Sequence, residues 1–444
     1  MSEVEMNRLI LIGNGFDLAH GLETSFYNFI NYCVFEMSKF IIIKHEDTIE
    51  SFSIEEYTIE SFLIDNDIVH SESIKGCCKL IIKTYEDLLI CKKKITEEVP
   101  DYYLKKYSEK LDNYLNCKQN EYNSNINYLE KCEILFDKEY WKKTKDFIND
   151  IKGSTSEIDY TQFVDKLFKN KLFKIILNKC KADKNWGGIE HDFYQTLLNV
   201  KKFYKGENIP DEIDKIDILN KEFENIIDCF GHYMKTVVSK QKTENLSKIA
   251  DHLKQAVKKC ELSTQFRDRI GQQPIVIKEH MFLNFNYTNT VEKYIAQSSV
   301  NVEEKHVQIH GRLEDSASGI IFGYGDELDS SYKELEDKND NRYLKYSKSL
   351  HYLYKNNYQK LLDFLEQNKY QVYIWGHSCA TSDRVLLQTI FEHENCVSIK
   401  PFYYQDTKGN DNFADLCANI SRSFTDKKKF RDLVVNKEYC EPLT

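Results

Sequence analysis

Arg8-Leu9-Ile10-Leu11-Ile12-Gly13-Asn14-Gly15-Phe16-Asp17 is the stretch that decides the fold. Leu9 to Ile12 run unbroken into Gly-Asn-Gly. A short continuous apolar run closed by glycine reads as a strand buried on both faces, as in parallel sheets. Glycine at the carboxyl end of such a strand permits a sharp turn and a close approach of ligand to backbone. If the turn leads into a helix, its N–H groups face an anion such as a pyrophosphate. The complete Gly-x-Gly-x-x-Gly fingerprint is absent, because position 18 is Leu and the next glycine is Gly21.

The same rhythm returns late in the chain. Pro274 to Ile277, His280 to Tyr287, Val307 to Gly311, Gly319 to Gly325, Tyr370 to Ser378 and Cys396 to Phe402 are short β-branched or aromatic runs. Helical patterns over Thr290–Ala296 and Asp383–His393 separate some of them. Several runs end in Gly, Asn, His or Ser, which puts polar residues at strand carboxyl ends, where open α/β sheets bind ligands. Between them lies a long region with few Gly or Pro and with helical spacing, as at Tyr85, Leu88, Leu89 and at Phe163, Leu167, Phe168. Ile213 to Phe230 reads as one helix face, with Pro210-Asp211 as its start signal. Residues 40–75 fit strand or loop. The predicted organisation is a discontinuous α/β domain of residues 1–30 plus 273–444, with a mostly helical insertion or cap over 31–272.

Composition narrows the class. The 444 residues are 41% hydrophobic and 30% charged, so the chain is globular rather than disordered. No apolar run of about 18 residues suggests a membrane span, and no secretory signal pattern stands at the start, so a cytoplasmic location is expected. The net charge of −10 gives no global attraction for nucleic acid. Lys92-Lys93-Lys94 and Lys427-Lys428-Lys429 read as solvated helix faces or termini. The 13 cysteines include no Cys-x-x-Cys, so neither a zinc site nor a disulfide framework is expected.

Asn284-Phe285-Asn286-Tyr287-Thr288-Asn289 carries asparagines at a strand end. Either they cap the next helix, through Asn289 or Thr290, or Asn286 faces a ligand. His306 and His310 would stand ~13 Å apart on a strand, too far to share a metal. His310 before Gly311 sits in the same layer as Gly13-Asn14-Gly15 and Asn286. Trp375-Gly376-His377-Ser378 with Asp383 resembles an incomplete nucleophile elbow, since position 380 is Ala. Ser378 and Asp383 read better as helix-capping or ribose-binding groups. Asp17 and His20 suit a helix first turn. In Trp186-Gly187-Gly188-Ile189-Glu190-His191-Asp192 no second His completes a metal spacing; packing of Trp186, with Glu190 near the site or at a helix start, is the simpler reading.

Together these blocks resemble the AbiH family of bacterial abortive-infection proteins, which act against bacteriophage. The residues that carry the resemblance are Ile12 to Leu22 with Thr24-Ser25-Phe26, then Trp186 with Glu190, Phe285 to Glu292, Ile309-His310-Gly311, Ile321 to Gly325, and Ile374 to Ser378 with Asp383. The order is also similar, more distantly, to sirtuin-like domains of defence proteins that destroy NAD. Gly13-Asn14-Gly15 corresponds to their Gly-Ala-Gly turn, Asn286-Tyr287-Thr288 to their Asn-Tyr-Asp, His310-Gly311 to their His-Gly, and Gly376-His377-Ser378-Cys379 with Asp383 to their late Gly-x-Ser-Leu and Asp. Asn14 replaces a small residue and Thr288 an Asp. The resemblance implies an α/β fold with a Rossmann-like, sirtuin-like parallel sheet. It implies Asn286 and His310 as catalytic residues. It implies a nucleotide site of Gly13, Asn14, Gly15, Phe16, Asp17, Tyr287, Gly311, Gly376, Ser378 and Asp383. NAD would be the substrate, with no cofactor and no metal; a phage trigger and a homo-oligomer are further expectations. The implied reaction is NAD glycohydrolysis. Its alternatives are a nucleotide sensor without turnover and, on weaker grounds, a nuclease, for which no metal-binding carboxylate cluster is evident.

Overall fold

Alternation of side chains explains why β1 (Val4–Ile12) needs an unbroken apolar run. Leu9 and Leu11 point to one face of the sheet, among Met281, Leu283, Val372, Ile374 and Ile399. Ile10 and Ile12 point to the other, among Phe282, Tyr373, Trp375 and Phe402. From Met6 to Ile12 both faces are covered, so a polar side chain there needs a buried partner, as Arg8 finds in the carbonyls of Leu253 and Gln255. Each fully buried aliphatic side chain contributes about 1.5–3 kcal/mol over its exposed state.

The protein is represented by a computed structural model that describes residues 3–30, 32–33, 170–179, 186–205, 214–243, 246–295, 302–313, 319–325 and 327–444. With β1 run four further strands, β2 (Ile275–Asn284), β3 (Glu303–Gln308), β4 (Tyr370–Trp375) and β5 (Cys396–Phe402). They form one parallel sheet in the order β3-β2-β1-β4-β5. The fold class is α/β, as the run-and-turn rhythm predicts. The order reverses at β1, which pairs with β2 on one side and β4 on the other, so the crevice beyond the carboxyl ends of β1 and β4 is a topological switch point.

The helices used below are α1 (Asn14–Ala19), α2 (Lys171–Lys179), α3 (Trp186–Leu198), α4 (Lys215–Thr236), α5 (Ser247–Lys254), α6 (Asn357–Gln367), α7 (Arg384–Phe391) and α8 (Phe413–Arg422). On the Leu9 face the sheet is covered by Leu361, Phe364 and Leu365 of α6, Leu386, Leu387, Ile390 and Phe391 of α7, and Leu416 and Ile420 of α8. On the Ile10 face it is covered by Phe16 of α1 and by Ile249, Ala250 and Leu253 of α5.

The chain divides into two compact units, Met1–Ser25 with Asn185–Asn220 and Tyr233–Thr444, and Phe26–Lys184 with Lys221–His232. The first holds the sheet. In the second, the described residues include a well-closed helix start: Asn170 Oδ1 accepts the Phe173 N–H at 2.8 Å, and the Glu222 carboxylate takes the N–H groups of Lys171 and Leu172 at 2.9 and 3.1 Å. A carboxylate there also answers the helix dipole of α2.

Several expectations change. The helix read over 213–230 begins instead after Asp214, whose Oδ1 accepts the Ile216 N–H at 3.1 Å, and Pro210-Asp211 lie outside the described residues. Gly319 to Gly325 is no strand of the sheet. Its Ile321 N–H goes to His310 O at 2.7 Å and its Tyr324 N–H to Tyr346 O at 3.1 Å, so it is a loop laid across the strand ends. The helical Thr290 stretch is a short 3-10 turn, Thr290–Lys293. The readings at 40–75, 85–89 and 163–168 lie outside the described residues. Among the described residues no helix is long and apolar enough to cross a membrane.

Candidate functional site

The turns after β1 and β4 touch. Gly13 N–H donates to Trp375 O at 3.0 Å and Gly15 N–H to Gly376 O at 2.8 Å. A Cβ on Gly376 would stand 2.1 Å from Phe16 N, and Gly376 itself has a φ of +68°. A Cβ on Gly13 would stand 2.3 Å from His377 Cα. Glycine is required here because two backbones meet, and the N–H groups of Gly15 and Phe16 are spent inside the turns. Phe16 lies in the core, stacked on Trp375 with ring centroids 6.0 Å apart. Asn14 is half-buried beside them.

At the end of β2 the asparagines build a turn of their own. Asn284 Oδ1 accepts the Asn286 N–H at 2.9 Å, and its Nδ2 donates to Thr288 O at 3.0 Å. Asn286 Nδ2 reaches across to Gly13 O at 3.0 Å, tying this turn to the one after β1. Neither Asn289 nor Thr290 caps the following turn through its side chain, and Asn289 Oδ1 instead takes Gln308 Nε2 at 3.3 Å. Thr288 Oγ1 donates to Asp17 Oδ2 at 2.6 Å. Burial pushes the Asp17 carboxyl up to about 6, against the hydrogen bonds from Thr288, Thr290 and Asn286.

The centre of the site is a buried charge cluster. Lys348 Nζ, on the turn Lys348–His351, lies 3.0 Å from Glu190 Oε2 and 2.9 Å from Asp383 Oδ1. Asp383 Oδ1 is also 3.3 Å from His310 Nε2, and Oδ2 is 3.7 Å from His377 Nε2. Glu190 Oε1, on α3, accepts the Gly323 N–H at 3.1 Å. All five side chains are buried. Burial would raise the Asp383 carboxyl, but the Lys348 charge and the His310 contact outweigh it and hold it well below the usual carboxylate range. Burial raises Glu190, partly offset by Lys348. Burial would lower the Lys348 ammonium, but Asp383 and Glu190 keep it above its ordinary value.

Asp383 N-caps α7 by position, yet its side chain makes no capping bond; the carboxylate serves Lys348 and His310. An ionised Asp383 can only accept, so its contact at 3.3 Å favours the His310 proton on Nε2 and leaves Nδ1 unprotonated. Tyr352 OH stands 3.4 Å from the same Nε2. His377 is oriented by its neighbour's backbone, with Nδ1 accepting the Cys379 N–H at 3.0 Å, and burial brings it down to about 4. It is therefore a neutral imidazole at pH 7. Gly311, with a φ of +83°, turns the chain directly after His310.

The other candidates fall in different places. Tyr287 OH donates to Ile321 O at 2.8 Å, and its ring lies 6.4 Å from that of His310. Ser378 is exposed, and its carbonyl accepts Asn419 Nδ2 at 2.8 Å, while the preceding His377 turns inward. His20 bonds Phe16 O and Tyr294 OH at 2.7 and 2.6 Å. Trp186 Nε1 donates to Thr24 O at 2.8 Å and the ring packs edge-on against Phe322. His191 is exposed. Among the described residues no group of three His, Cys, Asp or Glu could hold a metal ion.

Sequence reasoning missed Lys348 and Tyr352. Neither stands at a strand end or in a motif, and no local signal separates Lys348 from the other cations of a chain with 61 Lys and Arg. Glu190 and Gly323 both stand in motifs visible in the sequence, but nothing there links Glu190 to Lys348.

The family model described as Bacteriophage abortive infection AbiH matches residues 9–405. No curated protein and no solved structure matches the chain.

Proposed function

The chain belongs to the AbiH family of bacteriophage abortive infection, and we propose that it acts there by hydrolysing the nicotinamide–ribose bond of NAD at the strand-end site. The observation that carries the reading is the His310–Asp383 contact of 3.3 Å between buried side chains at the topological switch point. The strand order β3-β2-β1-β4-β5 is that of Rossmann-like dinucleotide folds, which supports a nucleotide as ligand.

Nicotinamide leaves a cationic ring as a neutral molecule, so no acid need protonate it. The requirements are a positioned water and stabilisation of positive charge at the ribose carbon, as in other glycosidic cleavages. His310 Nδ1 takes a proton from water as the oxygen bonds to that carbon. The carbon–nitrogen bond breaks with its electron pair going to nicotinamide. ADP-ribose, nicotinamide and one proton result. Asn286, held by the Gly13 carbonyl, orients the water or the ribose through its amide oxygen. Asp383 stabilises the imidazolium that forms. A site that destroyed NAD without control would harm its host, so the activity waits for a phage signal.

The test is incubation of the purified full chain, with and without phage lysate, with NAD, followed by chromatography of the products. Nicotinamide release that is lost in His310→Ala and Asn286→Ala is expected. Tight nucleotide binding with no product under either condition would assign the site to sensing instead.

A further inference from the structure

The cluster behind His310 has a construction that the reaction alone does not require. Asp383 is not held by a backbone cap, since its side chain makes no capping bond to α7. What holds it is Lys348 Nζ at 2.9 Å, and what holds Lys348 from its other side is Glu190 Oε2 at 3.0 Å. Glu190 is anchored in turn, by its place on α3 and by the Gly323 N–H at 3.1 Å on its second oxygen. The lysine is itself buried, 2% exposed, so water does not compete for these bonds. His310 is faced by Asp383 and Tyr352 at Nε2, and by the rings of Phe285 and Tyr287. Only Asp383 among these can impose a proton position by charge.

We propose that Lys348 and Glu190 are positioning residues, a two-residue arm from α3 that pins the Asp383 carboxylate so that His310 keeps its proton on Nε2 and its lone pair on Nδ1. Their polar contacts are with each other, with the Gly323 N–H and with Asp383, not with the His310 ring. The arm gives Glu190, a residue of the segment between β1 and β2, a part in the chemistry of the sheet. It extends the NAD reading above, yet the position of a proton can be measured with no substrate present.

Long-range hydrogen–nitrogen correlation on protein labelled with nitrogen-15 histidine reads the two ring nitrogens separately. In the wild type His310 is expected to show a protonated Nε2 and an unprotonated Nδ1. His20 supplies an internal control of the opposite kind, because its Nδ1 donates to Phe16 O and its Nε2 accepts from Tyr294 OH. In Lys348→Met the His310 pattern should collapse to the average of two tautomers while His20 is unmoved. Nicotinamide release should fall about a hundredfold in kcat with KM little changed, within the range a positioned base supplies. Glu190→Gln keeps the shape of the arm and serves if Lys348→Met does not fold; it should give partial averaging and a smaller loss in kcat. A wild-type His310 protonated on Nδ1 overturns the proposal, and so does a fixed wild-type pattern in both variants. The expected tautomers with no nicotinamide released would leave the arm standing and remove NAD as its substrate.

Discussion

Two buried carboxylate–lysine clusters lie in the sheet unit, and they differ in what surrounds them. Below the sheet face, Lys400 of β5 meets Glu261 Oε1 at 3.0 Å and Gln255 Oε1 at 3.2 Å. Gln371 Nε2 fills the other Glu261 oxygen at 3.0 Å, and the rings of Phe402 and Tyr373 lie 5.4 and 5.9 Å from the ammonium. Arg8 lies beside them, donating to Leu253 O and Gln255 O and stacking on Tyr373 at 4.3 Å. A second, half-buried carboxylate, Glu441, stands 3.6 Å from Lys400, and the same oxygen lies 3.9 Å from His252; amides, carbonyls and rings fill the rest of the surroundings. At the strand ends, Lys348 faces two carboxylates, and the second of them faces two imidazoles. Burial of charge is common to both. What sets the second apart is that both carboxylates facing its lysine are buried and that two buried imidazoles, His310 and His377, share one of them at the strand ends.

Changes in the first cluster should therefore move stability alone. Lys400→Met leaves Glu261 buried and unpaired, which should cost about 3–5 kcal/mol in denaturant unfolding. The double variant Glu261→Leu/Lys400→Met should recover most of that, because both desolvated charges are gone. Nicotinamide release per folded molecule should not change. A double variant as unstable as the single one would mean that the pair does more than fill space.

Asp17 is a third case, a buried carboxylate for which no ion pair is found among the described residues. Its folded-state pKa of about 6 lies above the ordinary 3.8. Between these values the unfolded chain has released the proton and the folded chain retains it, so stability falls as pH rises from about 4 to 6. Below that window Asp17 makes no difference, and above it the loss is complete. The shift corresponds to at most about 3 kcal/mol. Asp17→Asn should be more stable than the wild type at pH 7 and lose that advantage at pH 4, which thermal unfolding at the two pH values would check. A constant difference across the window would show that the Asp17 proton is not involved.

His310→Ala should lower nicotinamide release by at least about a hundredfold, roughly 2.7 kcal/mol of transition-state energy, with little change in melting temperature. A large loss of stability with unchanged specific activity would place His310 with the structural cluster instead. The smallest effect is expected for Tyr352→Phe. Its hydroxyl stands 3.4 Å from His310, a weak contact, so less than about a fivefold change in kcat is expected. A change as large as that of Lys348→Met would shift the control of His310 from Asp383 to the tyrosine.

The parallel sheet was readable because its signals are local. An apolar run of strand length with glycine at its end, repeated late in the chain, needs no tertiary knowledge to interpret. Gly319 to Gly325 misled by the same token: its aliphatic run, bounded by glycines, is a loop whose N–H groups go to His310 and Tyr346 rather than to a neighbouring strand. The strand-end positions of Asn286, His310 and Gly376 were legible from alternation. Their partners were not. Asn286 turns its amide to Gly13, and Ser378 faces outward while His377 faces in. Such choices depend on which backbone lies opposite, and sequence spacing carries no record of it.

By itself the sequence determined that β1 would be buried on both faces, that the sheet would be parallel, and that polar side chains would gather where its strands end. Only the tertiary structure decided that Lys348 would stand between Glu190 and Asp383, which lie 158 and 35 residues from it along the chain. Periodicity reports which face of an element is dry. A charge buried on that face must find its counter-charge wherever packing brings one within 3–4 Å, and that distance is fixed by the whole fold.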